Sequence, residues 1–238
     1  MNQLLLLCFS STVLFSLSSC RKIVGEGPVV TENRTVQPFT GIILKVPGSL
    51  YYTQNPIYGL ELRSQRNILN EIETVINGTN LEIRFKHHNT SIGRHDVINV
   101  YVSSPDANNL EIKGSGNLYI TQPFTGNRMR LATDGSGNIQ VNQLTVNSLT
   151  STISGTGNVM VNMGTVEMSE ANISGSGFID VSGLTAQKGK ADISGSGTIK
   201  ISATQQLDAH ISGSGTIWYK GSPVVNSSIS GSGSVKKL

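Results

Sequence analysis

The chain has 238 residues, of which 14% are charged and 37% hydrophobic, with 26 glycines, two cysteines and a formal net charge of +3. Its basic residues are spread along the sequence, which excludes a nucleic-acid patch as the organising feature. Beyond the first twenty residues there is neither a long amphipathic helical pattern nor an apolar run of membrane-spanning length, so the body reads as all-β.

Residues 1–19 form an apolar leader whose runs, 4–7 and 13–17, are too short to remain in a bilayer as a permanent helix. They read as a secretory signal, although no Lys or Arg precedes the apolar run. Its end, Leu17-Ser18-Ser19-Cys20, is similar to the lipobox of bacterial lipoproteins, in which the cysteine is acylated after cleavage and becomes the first mature residue. Cys8 then leaves with the leader and Cys20 carries lipid. No thiol remains for a disulfide or a metal cluster, and the exported fold must be held by its core. The expected organisation is a signal peptide over 1–19, an acylated cysteine and tether over 20–31, an N-terminal β segment over 32–111 and a repeat region over 112–238. Gly-containing residues 21–28 would let the body stand off the membrane.

From residue 29 to 110 the pattern is strand-like but irregular, with strands predicted over 29–36, 39–46, 50–54, 60–63, 81–85 and 97–102. Pro47-Gly48, Asn55-Pro56, Asn77-Gly78 and Pro105-Asp106 punctuate them as turns. Residues 67–75 read as coil or strand edge with room for one helical turn.

The second half is a repeat. Gly-Ser-Gly or Gly-Thr-Gly recurs at Gly114, Gly135, Gly155, Gly175, Gly195, Gly213 and Gly231, with spacings of 21, 20, 20, 20, 18 and 18 residues. Aligned on the glycines, three apolar columns appear. One is Ile112, Thr133, Ile153, Ile173, Ile193, Ile211 and Ile229; the second runs from Leu118 to Val235; the third, two residues later, runs from Ile120 to Tyr219. The two-residue step is strand periodicity, and β-branched residues dominate. So short a strand cannot bury its apolar face alone, but successive copies stacked in register bury it against one another. The expectation is a parallel β-solenoid, or β-helix, of about seven coils, each 18–21 residues, capped by the irregular N-terminal segment. Glycine suits the corners, where φ > 0 is expected, and the small middle residue stacks. Seven near-copies of these serines argue for an architectural role over a catalytic one. The last strand has no evident cap, which leaves edge-to-edge self-association open; Lys236 and Lys237 work against it.

The strand opening at Phe39-Thr40-Gly41-Ile42, the turn and strand Asn77-Gly78-Thr79-Asn80-Leu81-Glu82-Ile83, the strand from Val100 to Pro105 and the serial Gly-Ser-Gly-Asn-Ile units together resemble the auto-transporter adhesin head GIN-domain family. The resemblance covers residues 32–238. It implies an exported bacterial β-solenoid, in many members a lipoprotein, with a surface-interaction role and no defined catalytic residues. An outer-membrane lipoprotein follows, on the periplasmic face or the cell surface. Arg21-Lys22 is not the acidic stretch that accompanies surface export in some of these bacteria, which favours the periplasmic face.

Few residues suggest chemistry. His87, His88 and His95 share a loop without ordered metal-ligand spacing, so the loop reads as solvated. Asp192 and His210 occupy equivalent positions in successive repeats near Ser194 and Ser212, a grouping that superficially resembles a hydrolase triad but reads as a structural pair. Asp134, Asp180, Asp192 and Asp208 fall on different coils, unlike the concentrated acids of a polysaccharide lyase, and the period is not that of a calcium-binding solenoid. The outward column Tyr119, Gln140, Met160, Asp180, Lys200, Trp218, Lys236 offers Trp218 as a candidate binding aromatic. The sequence predicts no enzyme, cofactor or nucleic-acid partner. It predicts a membrane-anchored scaffold for adhesion or envelope contact, with a glycan-binding or glycan-processing β-helix as the alternative.

Overall fold

Between residues 135 and 175 the repeat shows its logic most plainly. Asn138–Gly155 and Asn158–Gly175 run parallel and pair along their length, with Ile153 opposite Ile173 and Gly155 opposite Gly175. Like meets like because each coil repeats the one before it. The computed structural model describes residues 21–238; the leader and Cys20 lie outside the described residues.

The same register continues outward in both directions, so the seven Gly-x-Gly corners stack over six full turns of a parallel β-solenoid. The first glycine of every corner has φ between +112° and +129°. At Gly175 a Cβ would also lie 2.4 Å from the Gly155 carbonyl oxygen of the coil below. Two constraints therefore select glycine there, the left-handed backbone and the close approach of the neighbouring coil. The predicted inward columns are buried from the first coil to the sixth, except Tyr219, which is half-buried. Thr133 stands in the isoleucine column and satisfies its hydroxyl by donating to Gly137 O at 3.3 Å.

Each repeat also has a third wall that the glycine alignment does not reveal. Phe124, Leu144, Gly164 and Leu184 stand in one column, each opposite the next, and Val146, Val166 and Ala186 beside them are likewise buried. This column mixes Phe, Leu and Gly, so its periodicity is weak in the sequence.

The N-terminal half extends the same stack, but out of chain order. Gly41–Leu44 lies between Asn80–Phe85 and Asn109–Gly114, parallel to both. Ser49–Gln54 lies likewise between Asn99–Ser104 and Asn117–Ile120. Beyond these, antiparallel strands close the end: Ile72–Asn77 against Asn80–Phe85, Gly59–Gln65 against Asn99–Ser104, and Val29–Asn33 outermost against Gly59–Gln65. An antiparallel hairpin such as Ile72–Phe85 interrupts the template that a parallel coil would otherwise offer. One wall thus holds eleven hydrogen-bonded strands from Val29–Asn33 to Ser234–Lys237, a span of about 48 Å at the usual strand spacing.

Two local expectations are revised. Residues 67–75 divide into a helical turn, Arg66–Leu69, whose Ile68 and Leu69 enter the core, and the strand Ile72–Asn77. Residues 21–28 are not all tether, because Arg21–Ile23 pairs in parallel with Thr90–Ile92. At the far end the core is less well covered: Val224 is 69% and Ile229 44% exposed.

Candidate functional site

The solenoid walls carry outward columns that repeat at every coil, and where two such columns run side by side they enclose a groove along the long axis. One, about 480 Å³, lies between the column Thr152, Asn172, Asp192, His210, Ser228 and the column from Ser154 through Ser194 and Ser212 to Ser230. Its walls are the residues immediately before and immediately after each member of the isoleucine column, so both rows face outward by strand alternation. Within it His210 Nδ1 stands 3.1 Å from Asp192 Oδ1, and Lys190 Nζ stands 3.2 Å from Asp192 Oδ2. Glu170 is the principal partner of Lys190 and, with Asp192, raises its pKa.

The Asp192–His210 juxtaposition anticipated from the register is therefore real. The hydrolase grouping is not assembled, because Ser194 and Ser212 make no side-chain hydrogen bond among the described residues and His210 is 53% exposed. A general base needs a nucleophile within hydrogen-bond reach and protection from water.

A second groove, about 430 Å³, runs along the third wall between the threonines Thr125, Thr145, Thr165, Thr185 and the row containing Asn147, Glu167 and Gln187. Asn147 Nδ2 donates to Asn127 Oδ1 at 2.8 Å, and on another wall Asn138 and Asn158 form a similar ladder from Asn117. These amide ladders align the coils and present a uniform polar surface.

The column of Trp218 is more aromatic than the repeats alone indicate. Tyr119 is followed, in the direction of the cap, by Tyr51 and then Tyr101. The rings stack, Tyr51 on Tyr101 at 5.0 Å and 16° and Tyr51 on Tyr119 at 5.3 Å and 20°. Their faces meet one another, so the surface displays a row of phenol edges. Shallow depressions flank the row, one lined by Glu61, Gly59 and Ser103, the other by Gln140, Asn142 and Asn162. No periodicity connects Tyr51 and Tyr101 to the repeats in the sequence; the out-of-order stacking alone places them there. At the other end Trp218 is half-buried between Lys200 and Lys236, with Lys236 Nζ 5.3 Å from its ring centroid.

His87 and His88 line a small depression with Lys45, Arg84 and Phe85, and His95 lies apart with its Nδ1 buried. Among the described residues no three His, Cys, Asp or Glu side chains come together as a metal site. Beneath the depression Glu82 is buried. Its pKa is lowered chiefly by the Lys45 hydrogen bond at 2.7 Å, against the opposing effect of burial and with help from Asn77.

A β-solenoid with axial grooves and exposed columns repeated at every coil defines the class, a stacked-repeat scaffold. The chain belongs to the family described as "Putative auto-transporter adhesin, head GIN domain", which matches residues 38–223. Among solved structures it is similar to a putative adhesin from Bacteroides fragilis, at 27% identity and TM-score 0.86, covering 91% of this chain and 100% of that one. It is also similar to a putative lipid binding protein from Parabacteroides distasonis, at 28% identity and TM-score 0.78, covering 92% and 100%. A putative adhesin from Parabacteroides merdae, at 22% identity and TM-score 0.70, covering 92% and 99%, shares the fold. No curated protein matches the chain.

Proposed function

We propose that the protein is a non-enzymatic, lipid-anchored adhesin of the cell envelope, acylated at Cys20, which binds an extended partner along its solenoid wall. The observation that carries this reading is the in-register groove from Thr152 to Ser230, where a serine recurs at each coil beside a second outward column. A partner with its own regular repeat gains one small contact per coil, and many such contacts add up without a deep pocket. The adhesin character of the family and of the Bacteroides fragilis relative supports the role.

The test is protease accessibility on intact cells, with lysed cells as control. Digestion on intact cells is the result that adhesion requires, and it would set aside the periplasmic face that Arg21-Lys22 favours. Protection until lysis overturns adhesion and directs the search to periplasmic partners.

A second reading, glycan binding, has the tyrosine row Tyr101, Tyr51, Tyr119 in its favour, with Trp218 as a further contact on the same column. Tyr119→Ala and Trp218→Ala should each weaken retention on a polysaccharide matrix if this reading holds; unchanged retention removes it. The weakly covered last coil makes end-to-end self-association part of the proposal, read from a sedimentation mass that rises with concentration.

A further inference from the structure

The N-terminal strand determines how the body is held near its anchor. Arg21–Ile23 runs parallel to Thr90–Ile92 with Arg21 opposite Thr90. The pairing extends on, since the Gly93 amide donates to Ile23 O at 2.7 Å and the Gly25 amide to Arg94 O at 2.9 Å. Thr90 closes a tight turn in which its amide donates to His87 O at 3.2 Å. The residue directly after Cys20 is thus fastened to the body beside this turn, so a lipid on Cys20 starts one peptide unit from a fixed point.

The surroundings of that point have a definite chemistry. Residues 84–95 contain Arg84, Lys86 and Arg94, the imidazoles His87, His88 and His95, and no carboxylate. Lys86, His87, His88, Arg94 and the adjoining Lys22 are all exposed. Lys22 and Val24 lie on one side of their strand, over Gly93, and Val24 is 47% exposed. The depression between Lys45, Arg84, Phe85, His87 and His88 holds about 150 Å³.

The neighbouring carboxylates do not cancel this character. Glu82 is buried against Lys45 at 2.7 Å and Arg84 at 3.5 Å, and Glu73 accepts from Arg84 at 2.8 Å. Asp96, which accepts from the neutral amide of Gln65, and Glu26 are exposed and keep their charge, and half-buried Glu71 adjoins Lys86, whose amide donates to Glu71 O at 2.9 Å; the exposed cations Lys22, Lys86 and Arg94 outnumber the two exposed carboxylates. What faces outward beside the anchor is an excess of cationic and imidazole groups with an apolar valine among them.

We propose that this surface, formed by Lys22, Lys86, His87, His88 and Arg94, rests on the anionic headgroups of the bilayer and fixes the orientation in which the solenoid stands from it. The inference depends on acylation of Cys20. A basic patch beside a lipid anchor adds a second signal, and each cation at an anionic surface contributes about fivefold in partition. The short strand supplies what a loose linker would not, because it holds the patch where the lipid enters.

The chain's four histidines make the test internal. His87 and His88 lie on the proposed surface, whereas His210 is seven strand spacings away along the stack, about 34 Å. The acylated protein is placed in vesicles of phosphatidylcholine, with and without phosphatidylglycerol. Each histidine's rate of carbethoxylation by diethyl pyrocarbonate is then read by mass spectrometry. His87 and His88 should react several-fold more slowly on the anionic vesicles, with His210 unchanged. High salt should restore their rates. Lys86→Glu with Arg94→Glu should do the same, by about fivefold for each cation lost, with the circular dichroism spectrum of the variant unaltered.

Equal rates for His87 and His88 on both vesicles overturn the proposal, as does equal protection of His210, which would mean that the body lies on its side. The same mass spectra report the lipid on Cys20. A chain without it fails at the anchor, an outcome distinct from an acylated chain whose histidines stay reactive.

Discussion

Tyr52 faces inward on the strand that bears Tyr51, 1% exposed, with its hydroxyl 3.2 Å from both the carbonyl oxygen and the hydroxyl of Ser104. Burial, the largest cause, pushes its pKa from 10.0 to about 12. The neutral phenol is therefore favoured in the fold, and its contribution is fully present below pH 10. As pH rises from about 10 to about 12 the unfolded chain ionises first, and about 2–3 kcal/mol of stability is lost. Urea midpoints measured across that window should fall for the wild type and fall less for Tyr52→Phe. Glu82 has the opposite sign, since its lowered pKa makes its contribution present above the ordinary carboxylate range and lost in acid. Lys45→Met should cost about 2 kcal/mol at neutral pH, because Glu82 loses its main partner while buried, and the deficit should shrink as Glu82 protonates. Neither effect is legible in the sequence, where Glu82 is one alternating polar residue and Tyr52 one of a pair.

At the scale of the element, the Gly-x-Gly corner is where sequence and structure agree most closely. Gly175→Ala puts a Cβ on a backbone with φ +127° and 2.4 Å from a carbonyl oxygen, so it should destabilise by about 3 kcal/mol or more. Ser176→Ala, one residue on and exposed, should change the urea midpoint by less than about 0.5 kcal/mol. The contrast tests whether the motif is conformational rather than catalytic. Gly164 shows what the alignment could not. It lies inside Asn158–Gly175, on the third wall, with φ +135° and the Leu144 carbonyl oxygen 1.8 Å from where a Cβ would sit, but its counterparts Leu144 and Leu184 are not glycine. A constraint that falls on one coil leaves no column to read.

At the scale of the whole molecule, the stack has one closed and one open end, and stability should follow that polarity. Ile173 and Ile229 are equivalent residues of one column, 3% and 44% exposed. Ile173→Ala should cost about 3 kcal/mol, and Ile229→Ala about 1 kcal/mol or less, since the second site is already partly in water. Native-state hydrogen exchange should show the same gradient, with amides of Val224–Gly231 opening most readily and those of Asn138–Gly155 least. Equal protection along the rod would mean that the last coil is covered in solution, which is the self-associated state.

What the sequence determined by itself is the solenoid. Seven glycine corners and three apolar columns at nearly constant spacing admit one economical solution, because identical short strands bury their faces and pair their backbones only by stacking in register. Local rules sufficed wherever the interacting residues are one repeat apart. Tertiary structure alone decided the other half. That Gly41–Gln54 enters between 80–104 and 109–120, so that Tyr101, Tyr51 and Tyr119 meet, depends on pairings between residues with no common motif. The same holds for Arg21 beside Thr90, where three residues of a Gly-containing lead-in find an unpaired edge. Edge pairing is satisfied by backbone groups that every residue possesses, and for that reason its partners leave no trace in side-chain periodicity.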